Sequence, residues 1–325
     1  MTKSSFRRDQ SLDLVKIVAM VSVIGLHTTH DYINSSIFSF ANIIYRSSVI
    51  AIPCFIMTSG YLLFGRSNCD YKYSIKKIWG IIKYVAIITI GWYCLITLLT
   101  GQTFSITTLF HDFIGSFIQK GPFYVFWYLG CMIIIYLCFP LLNKIYINNY
   151  YIFKVIVAVF FIIEYFVFQT NLLHDGEINI IQTFRIWNWI FYFCLGGLLR
   201  KLTFNIHGGI VILIAIVNLY YQHILTPYIG NTYCEFYYSS LPVILFSSAV
   251  FIYIKNHKIK EYNKVIGLVS DSFLPVYTFH MIILQICKSY FQIDSAILFV
   301  IVLLLTICVS IVIMRIPLSR KIFRI

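Results

Sequence analysis

The stretch SLDLVKIVAMVSVIGLH at residues 11–27 decides the fold, because it is apolar almost throughout and begins a membrane-spanning segment. Asp13, Lys16 and His27 interrupt it. Lys16 and His27 are eleven positions apart, which places them on nearly the same helix face and about 16 Å apart along its axis. Ionisable groups inside a bilayer are costly and mark functional sites. A histidine that exchanges a proton near neutral pH, aligned with a fixed cation, favours group-transfer chemistry.

The composition predicts an all-α membrane protein. Only 11% of the 325 residues are charged and the mean hydropathy is +0.83, whereas soluble domains carry about 25% charged residues. No polar stretch is long enough for a separate soluble domain, so we expect one membrane domain over residues 1–325. Apolar runs predict about ten transmembrane helices, near 12–31, 43–64, 77–99, 124–143, 151–169, 186–199, 208–224, 241–254, 265–288 and 295–314.

The net charge of +13 mainly reflects membrane topology. It is not a nucleic-acid-binding signature, and we expect no nucleic-acid partner. With both termini in the cytoplasm, only four basic residues fall on the outer side: Arg46, Lys120, Arg185 and Lys288. The other loop Lys and Arg residues then lie inside, as the positive-inside rule requires. Asp13 and Lys16 interrupt the first apolar run and no signal-peptidase site follows it, so we expect this span to be retained.

Loops and cysteines give weaker signals. Residues 100–123 have the pattern of an interfacial amphipathic segment. Residues 170–185, with His174, Asp175 and Glu177, and the tyrosine-rich residues 225–240 suit either carbohydrate binding or the interfacial aromatic belt. The nine cysteines form no C-x-x-C pair, so we expect neither a disulfide nor a metal site.

The densest basic patch lies in residues 66–83 and includes Lys72, Lys76 and Lys77. One interpretation is a topology anchor on anionic lipid, which the patch alone favours. The other is a clamp for the phosphates of a cytosolic cofactor.

Four segments together resemble the acyltransferase-3 family of integral membrane acyltransferases. The first span, with Asp13, Lys16 and His27, is similar to the family opening, although the family basic residue is often arginine. The other three are PCFIMTSGYLL at 53–63, the segment from Phe126-Trp127 to Pro140-Leu141-Leu142, and the segment from Ser270 to His280. The family often has Arg-x-x-Arg after the second span, where this chain has Lys72, Lys76 and Lys77.

The resemblance implies acetyl-CoA as the cytoplasmic acyl donor and a hydroxyl of a glycan or lipid-linked saccharide as the acceptor. It is closest to members that O-acetylate bacterial surface polysaccharides, which implies a multi-pass protein of the bacterial inner membrane. His27 and Lys16 are then the catalytic candidates, and Lys72, Lys76 and Lys77 the candidates for cofactor binding.

Each candidate also has a structural interpretation. His27 is either a hydrogen-bonded bundle histidine or a base that takes the acceptor proton. Lys16 neutralises a cofactor phosphate, holds His27 neutral by like-charge repulsion through water, or simply pairs with Asp13, one turn away. The separation of about 16 Å favours the phosphate over direct contact with His27. Arg46 is either an interface side chain that reaches toward water, or a group that polarises the thioester carbonyl or binds an acidic sugar.

Two further ionisable residues lie inside predicted spans. Glu164 is costly there unless it is partnered or protonated, so we expect a buried pair or a functional role. His280 follows Pro275, which is expected to kink its helix, and it either bonds a freed carbonyl or serves as an accessory site group. Ser59-Gly60 is typical of close helix packing and not of a nucleophile.

These observations predict an O-acetyltransferase with a polar cavity around His27, acting by direct transfer or through an acetyl-histidine. The alternative from another class is a glycan exporter or flippase without acyl-transfer chemistry. A glycan polymerase would be expected to have a large arginine-rich outer loop, which the sequence lacks.

Overall fold

The computed structural model describes residues 8–34, 36–173, 179–230, 232–257, 259, 262–291 and 293–323. His174, Asp175 and Glu177, three of the carbohydrate candidates, lie outside these residues. The described ranges contain helices and turns but no strand, which confirms the all-α class. Their α-helices are α1 Gln10–Thr29, α2 Phe40–Ser47, α3 Ala51–Leu63, α4 Tyr71–Thr100, α5 Ile106–Phe117, α6 Trp127–Asn148, α7 Tyr150–Leu172, α8 Ile186–Leu199, α9 Gly208–Ile229, α10 Leu241–Asn256, α11 Lys264–Asp271, α12 Phe273–Tyr290, α13 Ser295–Arg315 and α14 Pro317–Ile322.

Local sequence explains where many of these helices begin. A polar side chain precedes the first turn and accepts a hydrogen bond from a backbone N–H that has no partner inside the helix. The residues that do this are Asp9, Ser39, Asp70, Ser105, Asn149, Asn263 and Asp294, before α1, α2, α4, α5, α7, α11 and α13.

The helices include seven segments in the described residues that are long and apolar enough to cross a membrane: Gln10–Tyr32, Phe40–Leu63, Tyr71–Thr100, Tyr124–Asn148, Tyr150–Leu172, Gly208–Ile229 and Ser295–Arg315. The pair α11 and α12 makes an eighth, bent by 63°. Helices α8 and α10 are also apolar but have only 14 and 16 residues. All ten predicted segments are therefore helical, and the multi-pass membrane class is confirmed, with seven or eight full-length spans where about ten were expected.

The chain divides into two compact units. The first contains Met1–Thr58, Leu202–Pro227 and Asn231–Ile316. Helix α1 is its centre and packs against α2, α10, α11, α12 and α13. Gly25 permits the close approach to the α2 end, because a Cβ there would lie 2.6 Å from Ser48 Oγ. Polar residues of α1 are thereby buried among several neighbouring helices, where they need partners.

The second unit contains Ser59–Lys201, Tyr228–Gly230 and Pro317–Ile325. Helix α6 packs against α4, α5, α7 and α8. A Cβ on Gly60 would lie 1.9 Å from the backbone oxygen of Phe193, which confirms that Ser59-Gly60 serves close helix packing. Helix α5 has one exposed apolar side that includes Ile106, Phe110 and Ile114, as expected for the amphipathic segment.

Candidate active site

The Lys16–His27 face of α1 is formed as the sequence predicts. Helix α1 is continuous from Gln10 to Thr29, so the two residues lie on nearly the same side and about 16 Å apart along the axis. The structure does not bring the two side chains together. Lys16 lies in a group of side chains near the N-terminal end of α1, and His27 lies in another group near the C-terminal end.

At the N-terminal end, Asp13 is the centre of a buried ionic cluster. Its side chain is only 3% exposed. It forms an ion pair with Arg8, accepts a hydrogen bond of 2.7 Å from Ser270 Oγ, and lies 3.5 Å from Lys16 Nζ. The predicted pairing of Asp13 with Lys16 is thus confirmed, but Arg8 is the closer partner. Arg8 also pairs with Asp271 at 2.8 Å, and its hydrogen bond to Asp13 raises the pKa of its guanidinium.

Toward the C-terminal end of α1, His27 lies against His280 of α12. The two ring centroids are 5.2 Å apart and the rings are tilted by 41°. His280 is 1% exposed, and its Nδ1 contacts the backbone oxygens of Tyr277 at 2.8 Å and Val276 at 3.2 Å. A carbonyl oxygen only accepts, so Nδ1 carries the hydrogen. In the neutral ring, Nε2 therefore presents a lone pair.

That Nε2 atom is buried and has no hydrogen-bond partner among the described residues. His27, which is half-buried, likewise forms no hydrogen bond within the described part of the chain. A basic imidazole that is not engaged by the surrounding protein is available to take a proton from a bound hydroxyl. The structure therefore pairs the candidate base with a buried acceptor from a distant part of the sequence.

The bend before His280 differs from the expected proline kink. Helices α11 and α12 meet at Ser272 with a 63° bend, and Pro275 lies in the first turn of α12. A first-turn N–H has no partner inside its helix, so proline costs little there. His280 binds the carbonyls of Tyr277 and Val276, which follow Pro275 in the chain. A carbonyl left without a partner by the missing N–H of Pro275 would precede the proline, so His280 does not bind a freed carbonyl.

A second polar group lies one turn beyond His27. The ring of His30 stacks on Tyr233, with centroids 4.5 Å apart. Asp31 contacts His30 Nδ1 at 3.2 Å and Lys288 Nζ at 2.6 Å. Sequence reasoning missed His30, Asp31 and Lys288. The signal that could have found them is the position of Asp31 at the end of the first apolar run and of Lys288 at the end of the ninth, which the expected topology places on the same side of the membrane.

Arg46 is buried, with 3% of its surface exposed. The interpretation of Arg46 as an interface side chain that reaches toward water is therefore wrong. Its Nη1 donates a hydrogen bond of 3.1 Å to Thr226 Oγ1. Its backbone oxygen accepts hydrogen bonds from Gln222 Nε2 at 3.0 Å and Asn218 Nδ2 at 3.3 Å. Polar residues of α9, which are distant in sequence, make burial of Arg46 possible.

The remaining candidates belong to the second unit. Lys72 and Lys76 are exposed in the first turns of α4, and Lys77 is half-buried with its Nζ 5.9 Å from the centre of the Tyr73 ring. Glu164 is fully buried in α7, as expected for an acid inside a span. Among the described residues, no group of three or more His, Cys, Asp or Glu side chains is placed to hold a metal ion.

Comparison with known proteins complements this geometry. A family model described as an acyltransferase domain matches residues 9–315. An amino-acid racemase from Enterococcus faecalis is 31% identical over 133 residues, which are 39% of this chain and 18% of the racemase. The chain thus covers less than a fifth of that relative. No solved structure was found to match.

Proposed function

Because the chain belongs to the acyltransferase-3 family and is a multi-pass membrane acyltransferase, we propose that it is an O-acetyltransferase. The donor is acetyl-CoA in the cytoplasm, and the acceptor is a hydroxyl of a cell-surface or lipid-linked polysaccharide. The protein lies in a bacterial inner membrane with both termini inside. Racemisation is not proposed, since the match covers so little of the racemase.

The observation that carries this proposal is the pair of His27 and His280. His27 is separated from Lys16 along α1 by about half the thickness of the bilayer's hydrocarbon layer. Its ring is 5.2 Å from that of His280. Neither ring of this pair forms an ion pair with a carboxylate of the described residues. His27 can therefore act as a base without first breaking a strong interaction.

The proposed reaction is a direct transfer. The acceptor oxygen bonds to the thioester carbonyl carbon while His27 takes the hydroxyl proton. The carbon–sulfur bond then breaks, the CoA thiolate leaves with the electron pair, and it recovers the proton from His27. Positioned general-base catalysis of this kind contributes about 10²–10⁴-fold in rate. An N–H group of the His27 ring donates a hydrogen bond to Nε2 of His280 during the reaction.

Binding of the two substrates is assigned to separate groups. Lys72, Lys76 and Lys77 bind the phosphates of the donor, for which exposed ammonium groups are suited. Lys16 contributes a further positive charge on the α1 face. His30 and Tyr233 offer a stacked ring pair at the other end, which suits a sugar face that carries the acceptor hydroxyl.

The test is mass spectrometry of surface glycans from cells that carry the wild-type protein, His27→Ala, or no protein. His111→Ala is the matched control, because His111 is an exposed histidine of α5 with a 3.2 Å contact to Asp112. Equal amounts of each protein in the membrane are checked by immunoblot. We expect the acetyl mass increment with wild type and His111→Ala only, on an unchanged amount of glycan.

Two outcomes would overturn the proposal. Retention of the increment in His27→Ala would remove His27 from the chemistry. Loss of the whole glycan in cells without the protein would favour the exporter. A labelled acetyl group that stays covalently on the wild-type protein would replace direct transfer with an acetyl-histidine route.

A further inference from the structure

Arg46 is a buried cation in the first unit that the proposed chemistry does not use. It belongs to the last turn of α2, within the candidate span Phe40–Leu63, and is 3% exposed. A guanidinium stays charged in proteins, and a buried charge is costly unless an opposite charge compensates it. No carboxylate of the described residues forms an ion pair with Arg46.

Its hydrogen-bond partners are neutral. Thr226 Oγ1 accepts from Nη1 at 3.1 Å and itself donates to the backbone oxygen of Gln222 at 2.7 Å. The Tyr237 hydroxyl, 3.0 Å from Thr226 Oγ1, donates to the same backbone oxygen at 3.1 Å. Nε is buried and has no acceptor among the described residues. The positive charge is therefore oriented by these contacts but not neutralised.

The residues that orient Arg46 are buried and hydrogen-bonded to one another. Gln222 and Asn218 are fully buried, and Gln222 Nε2 also donates to Asn218 Oδ1 at 3.0 Å. Both amides bind the backbone oxygen of Arg46, which fixes the α2 end against α9. A cation held by such supporting contacts needs little reorganisation to bind an anion. Thr226 is half-buried, so the cluster is nearer the protein surface on that side.

This cluster adjoins the candidate active site. The ring of Tyr45, the neighbour of Arg46 in sequence, lies 5.2 Å from that of His30. The Tyr45 hydroxyl accepts a hydrogen bond of 3.1 Å from the backbone N–H of Cys234. His30 lies one helical turn beyond His27. Tyr45 thus links the helix that carries Arg46 to the ring of His30 within the first unit.

We propose that Arg46 is an oxyanion subsite, which binds a negatively charged group carried by the acceptor. Its guanidinium donates from Nε and an Nη atom to two oxygens of one anion, the bidentate geometry that arginine offers and lysine does not. The anion is either the carboxylate of an acidic sugar or the phosphate of a lipid-linked saccharide. Assignment to the acceptor rests on the proposed function, whereas oxyanion binding itself does not.

The experiment measures thermal unfolding of the purified full-length protein in detergent. Inorganic phosphate and glucuronate are titrated at constant ionic strength against sodium chloride, with glucose as the neutral sugar. A ligand that binds only the folded state raises the melting temperature with its concentration. We expect wild type to respond to at least one oxyanion and not to glucose. A response to phosphate alone or to glucuronate alone identifies the source of the anion.

Variants locate the response. Arg46→Gln is expected to weaken the apparent affinity about tenfold or more, the value of one charge-assisted contact. Arg46→Lys keeps the charge without the fork and is expected to respond more weakly than wild type. Arg200→Gln is the matched control. Arg200 donates to the backbone oxygens of Phe64 at 2.6 Å and Tyr61 at 3.1 Å, so its loss lowers the basal melting temperature but leaves the response intact.

An equal response of wild type to chloride, phosphate and glucuronate would overturn the proposal, as would a full response in Arg46→Gln. If Arg46→Gln does not fold, the wild-type titration and Arg46→Lys still decide the matter. If wild-type cells acetylate no glycan while the purified protein retains an Arg46-dependent oxyanion response, only the proposed function fails.

Discussion

The ring of His27 in α1 lies 5.2 Å from the ring of His280 in α12. Nδ1 of His280 carries the hydrogen, because it bonds backbone oxygens, and this leaves a lone pair on Nε2. A neutral imidazole that is fixed in this way accepts a hydrogen bond from a neighbour but donates none at Nε2. This arrangement resembles the orienting group behind a catalytic base, with imidazole in place of a carboxylate. His280 is therefore a positioning residue in the proposed mechanism.

Replacement of His280 tests this relationship. We expect His280→Ala to lower kcat about tenfold, the effect of one lost hydrogen bond in the transition state. KM is expected to change little, because in the proposed mechanism His280 acts through His27. His280→Gln offers an amide oxygen as an acceptor and is expected to recover part of kcat. Equal loss in both variants, together with reduced protein in the membrane, would instead indicate a purely structural histidine.

The Asp13 cluster is expected to contribute to stability. Asp13→Asn removes the charge that Arg8 and Lys16 share but keeps an oxygen for Ser270. Arg8 and Lys16 are about a third exposed, so we expect a loss of about 2 kcal/mol, less than for a fully buried pair. Lys16→Ala breaks only the 3.5 Å contact and should cost less than about 1 kcal/mol. Denaturation in detergent measures both, and equal losses would contradict this ranking.

Gly60 tests the close approach of α3 and α8. Gly60→Ala would place a Cβ 1.9 Å from the backbone oxygen of Phe193, and backbone cannot move aside as a flexible side chain can. We expect the free energy of unfolding to fall by about 1–3 kcal/mol, or the protein to fail to accumulate in the membrane. Gly91→Ala is the matched control, since nothing lies within 4 Å of its Cβ position. It should be neutral or slightly stabilising, because alanine favours helix.

The lysines of α4 distinguish cofactor binding from lipid anchoring. With Lys72, Lys76 and Lys77 all replaced by glutamine, we expect KM for acetyl-CoA to rise about tenfold while kcat changes little. Lys144→Gln, at the end of α6, serves as the control cation. An unchanged KM together with altered membrane orientation would support the topology-anchor interpretation. Orientation is measured by labelling of introduced loop cysteines in intact cells.

The sequence predicts local relationships in this molecule better than distant ones. Asp13 and Lys16 are three residues apart, and their pairing follows from helix geometry. Contact between His27 and His280 depends on how α1 and α12 pack, which no periodicity in either helix specifies. Two histidines in apolar helices are a signal that they need partners, but not that they are neighbours.

Arg46 shows the same limit. An arginine near the end of an apolar span usually extends to the interface, and nothing near it in sequence indicates otherwise. Its burial depends on Asn218, Gln222 and Thr226, which one side of α9 supplies from 170 residues or more further along the chain. The position of the helix break was also missed, because proline is tolerated in a first turn and the bend falls at Ser272.

The shortness of α10 has a consequence for the surrounding lipid. A helix of 16 residues rises about 24 Å, whereas the hydrocarbon layer is about 30 Å thick. Such hydrophobic mismatch is relieved when the bilayer thins beside the short helix or when polar flanking residues reach past its ends. Water and headgroups are then a few ångströms closer to the bilayer midplane beside the short helix than elsewhere. A hydroxyl carried on a lipid would have a shorter distance to travel there than elsewhere in the same bilayer.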